Sequence, residues 1–336
     1  MLRKFSIPFL LVASLGLNSC ETDFSLNGKY ELTPVIFGLL DQNDSIHMIK
    51  ITKAFLGDGN NLEYAQNPDS NYFKQVEARI IEFDETGEST ARSWVLSDSI
   101  ITGKSTDGVF YAPDQKIYYF KATDLIGEYT YRLEADLNEG QKSVFAETSL
   151  LYNFRLPNSI TSASAKLGFA KNTVITEDDY QNVTINLTDL VVNAANYEVG
   201  YTMNWTEYYL DGTSASFSER KFEVRSDSPT SAIKLNGLNF YKWVQETVPD
   251  DENVDYRTMD GIDIHFAFGH KVLKQYMDIS SPVTGVAQIQ PFFTNIDGGY
   301  GLLSSRFQFT QYGMPLSTTS AKELREGTFT YTKKFN

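Results

Sequence analysis

Thiol and imidazole side chains are scarce in this chain of 336 residues, which has one cysteine, Cys20, and only three histidines. A single cysteine excludes an internal disulfide and leaves no second thiolate for a metal site. His265 and His270 are five residues apart, a spacing that puts them on opposite faces of a strand and disfavours a shared metal ion. We expect these two and His47 to be surface or structural residues.

Sequence signatures of common catalysts are also missing. The chain has no Gly-x-Ser-x-Gly, no His-Glu-x-x-His and no phosphate-binding glycine loop followed by a helix. We therefore predict no catalytic residue, no metal site and no cofactor. The net charge of −14 argues against a nucleic-acid partner, whose phosphates would be repelled.

Long apolar runs are limited to one, near the start. Arg3 and Lys4 precede the apolar stretch 7–17, which is too short for a permanent membrane helix and has the layout of a secretory signal. The following Leu17-Asn18-Ser19-Cys20 resembles a bacterial lipobox. The resemblance implies cleavage before Cys20 and a lipid on its sulfur, with several acyl chains anchoring the protein in a membrane. The alternative is an ordinary signal peptide with an incidental cysteine. We expect residues 1–19 to be the signal peptide and 20–30 a tether.

Aromatic residues are abundant, with 20 Tyr and 23 Phe, and strands favour such residues. Short alternating segments separated by turn residues predict an all-β sandwich over residues 31–156. In 129–137, Tyr131 and Leu133 belong to one face and Arg132 and Glu134 to the other. This strand and the turn before it resemble the corner preceding strand F in immunoglobulin-like and fibronectin type III domains. One strand is predicted over Ala91–Ile101.

Residues 157–336 predict a larger β domain. An Asp211-Gly212 turn joins two alternating strands, and a helix near 238–246 follows a cap at Asn236. Leu273–Met277 fits a strand or a helix, and we predict a last strand over Thr328–Phe335. The expected fold is therefore mainly β, with two tandem β-sandwich-like domains, the first immunoglobulin-like and the second carrying one short helix.

Two stretches, 34–59 and 293–302, resemble segments of uncharacterised envelope lipoproteins of the Bacteroidota. The resemblance implies an immunoglobulin-like domain, a larger C-terminal β domain and lipid anchoring in the outer membrane, and it assigns no activity. It leaves open whether the body faces the periplasm or the cell surface. Asp44-Ser45-Ile46 and Asp98-Ser99-Ile100 match the O-glycosylation pattern of this phylum, so Ser45 and Ser99 are candidate glycosylation sites.

Three hypotheses of function remain. The leading one is a non-enzymatic interaction or ligand-binding module, accessory to an outer-membrane transport complex or bound to another envelope partner. The second is a carbohydrate-binding protein that uses Tyr208 and Trp243, although alternation assigns the neighbouring Trp205 to the core. The third is a hydrolase with a dispersed carboxylate pair. The candidate ligand-contact loop comprises Asn295, Asp297, Gly298, Gly299 and Tyr300.

Overall fold

The computed structural model describes residues 31–54, 61–104, 114–138, 140–171, 179–228, 230–281 and 292–336. The predicted signal peptide and tether, including Cys20, lie outside these residues. The described chain is mainly β, as predicted. Its strands are β1 (Pro34–Leu40), β2 (Ile46–Lys53), β3 (Val76–Phe83), β4 (Ser89–Val95), β5 (Ser97–Ile101), β6 (Gln115–Lys121), β7 (Thr130–Leu137), β8 (Lys142–Ser149), β9 (Val183–Asn186), β10 (Ala194–Tyr209), β11 (Ser214–Ser226), β12 (Ala232–Leu235), β13 (Val254–His270) and β14 (Tyr300–Met314). Its helices are α1 (Asn61–Ala65), α2 (Pro68–Asn71), α3 (Asn158–Thr161), α4 (Gly237–Thr247), α5 (Lys271–Ser280) and α6 (Thr318–Glu326).

Three sheets organise these elements. The largest has the strand order β11-β10-β13-β14-β1-β2-β6-β5, a second has β4-β3-β7-β8, and β12 pairs with β9. In the N-terminal half, the inward residues of β1, β2 and β6 share one apolar cluster with those of β3, β7 and β8. This is a sandwich core, because two sheet faces bury the same cluster. In the C-terminal half, helices and the two-stranded sheet cover one face of the large sheet.

Strand β14 joins the two halves. Its first residues, Tyr300–Ser305, run parallel to Val35–Leu40 of β1, and the remainder pairs antiparallel with β13. The sandwich core is drawn from residues 36–150 together with Ile296 and Leu303, whereas the second core begins at Leu151. The predicted division at residue 157 therefore falls a few residues after the change of core, and the late segment returns to the first half.

Buried Asp41 lies where β14 passes from one half to the other, and buried His270 lies on the other side of this junction. The carboxylate of Asp41 accepts hydrogen bonds from the backbone N–H groups of Asn43, at 3.0 Å, and Gln308, at 2.8 Å. Burial is the largest influence on this carboxyl group and raises its pKa to about 6. The Asn43 side chain also donates to the Gln308 carbonyl, at 2.8 Å. The β1–β2 turn is thereby fastened to β14.

His270 fastens the other side of this junction. Its Nδ1 accepts a hydrogen bond from Val272 N–H at the start of α5, and its Nε2 lies 3.1 Å from the Ser149 hydroxyl at the end of β8. The Ser305 hydroxyl of β14 donates to the Ser149 carbonyl at 2.6 Å. Burial lowers the pKa of His270 to about 4, so the imidazole is neutral at pH 7.

The predicted corner before β7 is built around Tyr131, which is fully buried. Its hydroxyl accepts a hydrogen bond from Ile126 N–H at 2.7 Å and lies 3.1 Å from the carboxylate of buried Glu82. Thr90 and Arg92 also contact that carboxylate. A tyrosine hydroxyl bonded to backbone a few residues upstream is the tyrosine-corner arrangement of immunoglobulin-like domains.

A buried ion pair organises the C-terminal half. Arg257 is 0% exposed, and its Nε donates to Glu207, at 2.7 Å, across β13 and β10. Its other nitrogens donate to the carbonyls of Lys333, at 2.6 Å, and Pro249, at 3.0 Å. Glu207 also accepts from the Tyr209 hydroxyl, at 3.0 Å. Each of the three guanidinium nitrogens is therefore hydrogen-bonded, and Arg257 helps to attach the final segment to the sheet.

The structure confirms several local predictions. Helix α4 begins after Asn236, whose side chain accepts from Asn239 N–H, and Asp211-Gly212 turns the β10–β11 hairpin, both as predicted. Leu273–Met277 lies within helix α5.

Two predicted strands were wrong. Ala91–Ile101 divides between two sheets, because buried Leu96 separates β4 from β5 and donates its N–H to the Ala78 carbonyl. The predicted strand Thr328–Phe335 contains a single 3-10 turn at Tyr331–Lys333. Only Phe335 pairs with a strand, through an isolated parallel bridge to Arg257 of β13, and the Arg257 guanidinium binds the Lys333 carbonyl.

Candidate functional site

A concave trough lies on the outer face of the β4-β3-β7-β8 sheet. The cavity measures 920 Å³. Because side chains alternate across a strand, the residues facing the sandwich core are mostly apolar and those facing the trough are mostly polar. Its lining side chains include Glu77, Arg79, Arg132, Glu134, Phe145 and Asp297.

The centre of the trough is one cross-strand row. Val95 on β4 pairs with Arg79 on β3, which pairs with Glu134 on β7. Glu134 pairs with Phe145 on β8, and Phe145 forms a backbone bridge to Asp297. The register of four strands and one added segment therefore brings residues distant in sequence into a single line.

Three charged side chains that line the trough, together with Glu147 on the same sheet face, form an alternating chain. Arg79 donates through Nε and Nη2 to Glu134 Oε2, at 3.1 and 2.8 Å. Arg132 Nη1 lies 4.0 Å from Glu134 Oε1, and Arg132 donates through Nε to Glu147 Oε1 at 2.6 Å. These side chains are partly exposed, so each pair contributes at most about 1 kcal/mol to stability. Their main effect is on geometry, because each side chain is oriented by its hydrogen bonds or ion pair to the next one.

Carboxylates dominate one end of the trough. Glu77 and Asp136 are directly opposite each other on β3 and β7. Like charges in this position are mildly destabilising. The Ser143 hydroxyl donates to Asp136, at 2.5 Å, and the Gln75 amide donates to Glu77, at 2.9 Å. A further groove of 380 Å³ shares Glu77 and Asp136 and extends the trough towards Gly140.

An aromatic ring provides the apolar part of the trough. Phe145 is 46% exposed although it lies in the middle of β8. The Arg132 guanidinium lies 4.7 Å from the centre of the Phe83 ring and 5.9 Å from that of Phe145, which is cation–π geometry. Val95, at the opposite end of the row, is 77% exposed. The trough thus offers apolar contacts beside both signs of charge.

The predicted ligand-contact loop closes the edge of this sandwich. The Asn295 side-chain amide donates to the Leu303 carbonyl, at 2.7 Å, and accepts from Leu303 N–H, at 3.0 Å. These two bonds attach the loop to β14, so the amide has a structural role. Asp297 is exposed and lines the trough. Gly298 has a φ of +75° and passes close to the Ser143 carbonyl, which favours glycine there.

The remaining loop residues face elsewhere. Gly299 packs against Pro34 of β1. Tyr300, 45% exposed, lines a separate groove of 440 Å³ with Phe37 and Tyr276. The candidate loop therefore contributes to two different surfaces.

The two candidate sugar-stacking residues lie on opposite faces of β10. Trp243 on α4 packs edge-on against Tyr201, a core residue, with ring centres 5.3 Å apart. Tyr208 alternates to the outer face, where its ring stacks on Tyr256 at 4.5 Å. The two rings cannot form one platform. Trp205 is buried, as predicted.

The other predicted positions are ordinary in their surroundings. Ser45 and Ser99 are both exposed, Ser45 beside the β1–β2 turn and Ser99 on edge strand β5. His47 is buried and stacks on Phe120, with ring centres 4.6 Å apart. His265 is partly buried and contacts the hydroxyls of two threonines on neighbouring strands.

Two features are absent from the residues that the structure describes. No group of three or more His, Cys, Asp and Glu side chains is arranged to hold a metal ion. Within the same residues, no helix is both long enough and apolar enough to cross a membrane.

Comparison with known proteins gives little. No family model matches the chain, and no curated protein matches it. One of the solved structures with a match is the crystal structure of Dscam1 isoform 4.44, N-terminal four Ig domains, at 10% identity and a TM-score of 0.15. The match covers 73% of this chain and 51% of that chain, so this chain spans about half the length of that structure.

Proposed function

We propose that this protein is a lipid-anchored, non-enzymatic ligand-binding module of the outer membrane. Its acylated Cys20 holds it in the membrane, and its ligand occupies the trough on the β4-β3-β7-β8 sheet. An accessory role beside an outer-membrane transport complex fits a tethered binding module. This last part rests on the resemblance to envelope lipoproteins alone.

The trough carries the ligand-binding part of this proposal. Ligand sites are concave, commonly enclose about 300–1,000 Å³, and combine apolar surface with a few well-placed polar groups. The trough has this size, an exposed ring and charged groups fixed by one another. Phe145 supports the proposal because its exposed ring lies inside this cavity, in one row with the Arg79–Glu134 pair.

The anchor is tested by fractionating cells that express the wild-type chain or Cys20→Ala. We expect the wild-type protein in the detergent-soluble membrane fraction, and the variant without lipid outside it. Equal membrane retention of both proteins would remove the lipid anchor from the proposal.

The site is tested by photo-crosslinking in native membranes. A photoreactive phenylalanine analogue at position 145 reports on the trough, and the same analogue at Phe222, 62% exposed on β11, is the matched control. We expect a discrete adduct from position 145 and none from position 222. An adduct from position 222 alone would place binding elsewhere.

A further inference from the structure

We infer that the trough binds a neutral, hydroxyl-rich chain, that is, a short stretch of uncharged glycan. This inference rests on the proposed function, because it names the ligand class of the same site. It differs from a sugar platform at Tyr208 and Trp243, since those rings lie on opposite faces of β10.

The charges of the trough argue against an anionic ligand and do not offer a uniform surface to a cationic one. An anionic polymer would be repelled, because five carboxylates outnumber two guanidinium groups on this face. A polycation is attracted by the excess of carboxylates but is repelled by Arg79 and Arg132 at the centre of the trough. The carboxylates are those of Glu77, Glu134, Asp136, Glu147 and Asp297.

Hydroxyl groups suit a surface where donors and acceptors alternate. A hydroxyl both donates and accepts, so it binds best where an N–H group and a carboxylate lie side by side. The chain Arg79–Glu134–Arg132–Glu147 provides this arrangement, with guanidinium and carboxylate groups 2.6–4.0 Å apart. Because the pairs are already formed, a ligand does not have to order these side chains.

The exposed ring fits the other character of a sugar. One face of a pyranose is made of C–H groups, and such a face packs on a flat aromatic ring. Phe145 lies in the same row as Arg79 and Glu134, so one sugar ring on Phe145 places its hydroxyl groups beside that ion pair.

The shape fits a chain rather than one sugar. Four strands separated by about 4.8 Å make the row roughly 14 Å long. The adjoining groove at Glu77 and Asp136 lies along the strands from this row and widens the surface towards Gly140. An open-ended path of this length holds several linked sugar rings.

The test is a titration of the mature protein, purified with its lipid in detergent micelles, with three kinds of probe. The neutral probes are hexasaccharides of glucose, xylose, mannose and galactose; the charged probes are a heparin hexasaccharide and hexalysine. We expect at least one neutral hexasaccharide to bind and neither charged probe to bind more tightly.

Three variants locate the binding. Phe145→Leu keeps an apolar side chain but removes the ring, and we expect it to weaken binding at least tenfold. Phe145→Tyr keeps the ring and retains binding within about threefold. Phe222→Leu makes the same change at an exposed phenylalanine on β11 and leaves binding unchanged. Equal thermal unfolding midpoints of the four proteins show that folding is intact.

The outcomes separate this inference from the proposed function. Absence of binding to every neutral hexasaccharide overturns the inference. If hexalysine or heparin binds instead and Phe145→Leu abolishes that binding, the trough remains the ligand site with a different ligand class. Neutral binding that is indifferent to Phe145→Leu overturns the inference and contradicts the proposed site as well. Release of new reducing ends from a hexasaccharide would contradict a non-enzymatic role.

Discussion

Replacing Arg257 by leucine removes the cation from the buried pair with Glu207. The substitution keeps an apolar side chain of moderate size in a position that is 0% exposed. It leaves the carboxylate of Glu207, itself 4% exposed, with only the hydroxyl of Tyr209 and the indole N–H of Trp205 as donors. It also removes the guanidinium bond to the Lys333 carbonyl, while the backbone of residue 257 still pairs with Lys334 and Asn336 of the final segment.

The expected loss is large because one partner of a buried pair is left uncompensated. Such a loss costs about 3–5 kcal/mol. The control is Arg225→Leu, which breaks a pair of the same chemistry between Arg225 and Glu198, with N···O at 2.7 Å. The Arg225 side chain is 70% exposed, so this loss should be less than about 1 kcal/mol. The two substitutions differ mainly in burial.

The assay is urea unfolding at pH 7, followed by far-ultraviolet circular dichroism. The transition midpoints of wild type and both variants are converted to free energies with a common slope, which is valid if the slope itself does not change. If Arg257→Leu lies within about 1 kcal/mol of Arg225→Leu, the buried pair does not hold the C-terminal half together.

Four further predictions concern the junction and the first core, each measured by urea unfolding. Between pH 6.5 and 4 His270 binds fewer protons in the folded protein than in the unfolded chain, so acidification lowers the free energy of unfolding. On acidification from pH 7 to below 4, His270→Gln should therefore lose about 3 kcal/mol less of this free energy than the wild type does. Asp41, whose pKa is raised from 3.8 to about 6, binds more protons in the folded protein than in the unfolded chain, so acidification through this range stabilises the wild type. Asp41→Asn lacks this gain and should lose about 3 kcal/mol more of the free energy of unfolding than the wild type. Variant pH profiles parallel to that of the wild type would refute both predictions. Gly301→Ala places a Cβ against the β1 backbone at a φ of +113°. It should lower the free energy of unfolding by at least about 2 kcal/mol more than Gly212→Ala, which changes a turn glycine with open space around it. Equal losses in the two variants would refute this prediction. Tyr131→Phe removes the corner hydroxyl and should cost about 1–3 kcal/mol, and an unchanged midpoint would refute it.

Local features of the fold were predictable from sequence because they depend on neighbouring residues. The alternation around Tyr131, the Asp211-Gly212 turn and the Asn236 cap each follow from a few adjacent side chains. Each of these predictions agrees with the structure.

Long-range pairing was beyond such reasoning. The parallel pairing of Leu40 with Ser305 joins residues that are far apart in sequence, and no pattern within either strand indicates its partner. Leu96 ends β4 and leads the chain into a different sheet without any turn residue, so Ala91–Ile101 had the pattern of one strand. The predicted strand Thr328–Phe335 is reduced to a 3-10 turn and a single bridge from Phe335 to β13, and the Arg257 side chain binds the Lys333 carbonyl between them.

The trough was missed for the same reason. The outward position of Arg132 and Glu134 follows from alternation, yet their significance depends on Arg79 and Phe145 lying in register on the two neighbouring strands. A signal was present in the sequence, since three strands each carry charged or aromatic residues at alternate positions on their outer face. Asp297 was among the candidate contact residues, and it lines the trough at the end of that row.

The most direct test of the account is hydrogen exchange of the mature protein with and without the neutral hexasaccharides at millimolar concentration. Because the account places the ligand across β3, β7 and β8, backbone amides in 76–83, 130–137 and 142–149 should exchange more slowly when the sugars are present. Unchanged exchange there, with slowing confined to the strands and helix that carry Tyr208 and Trp243, would contradict it.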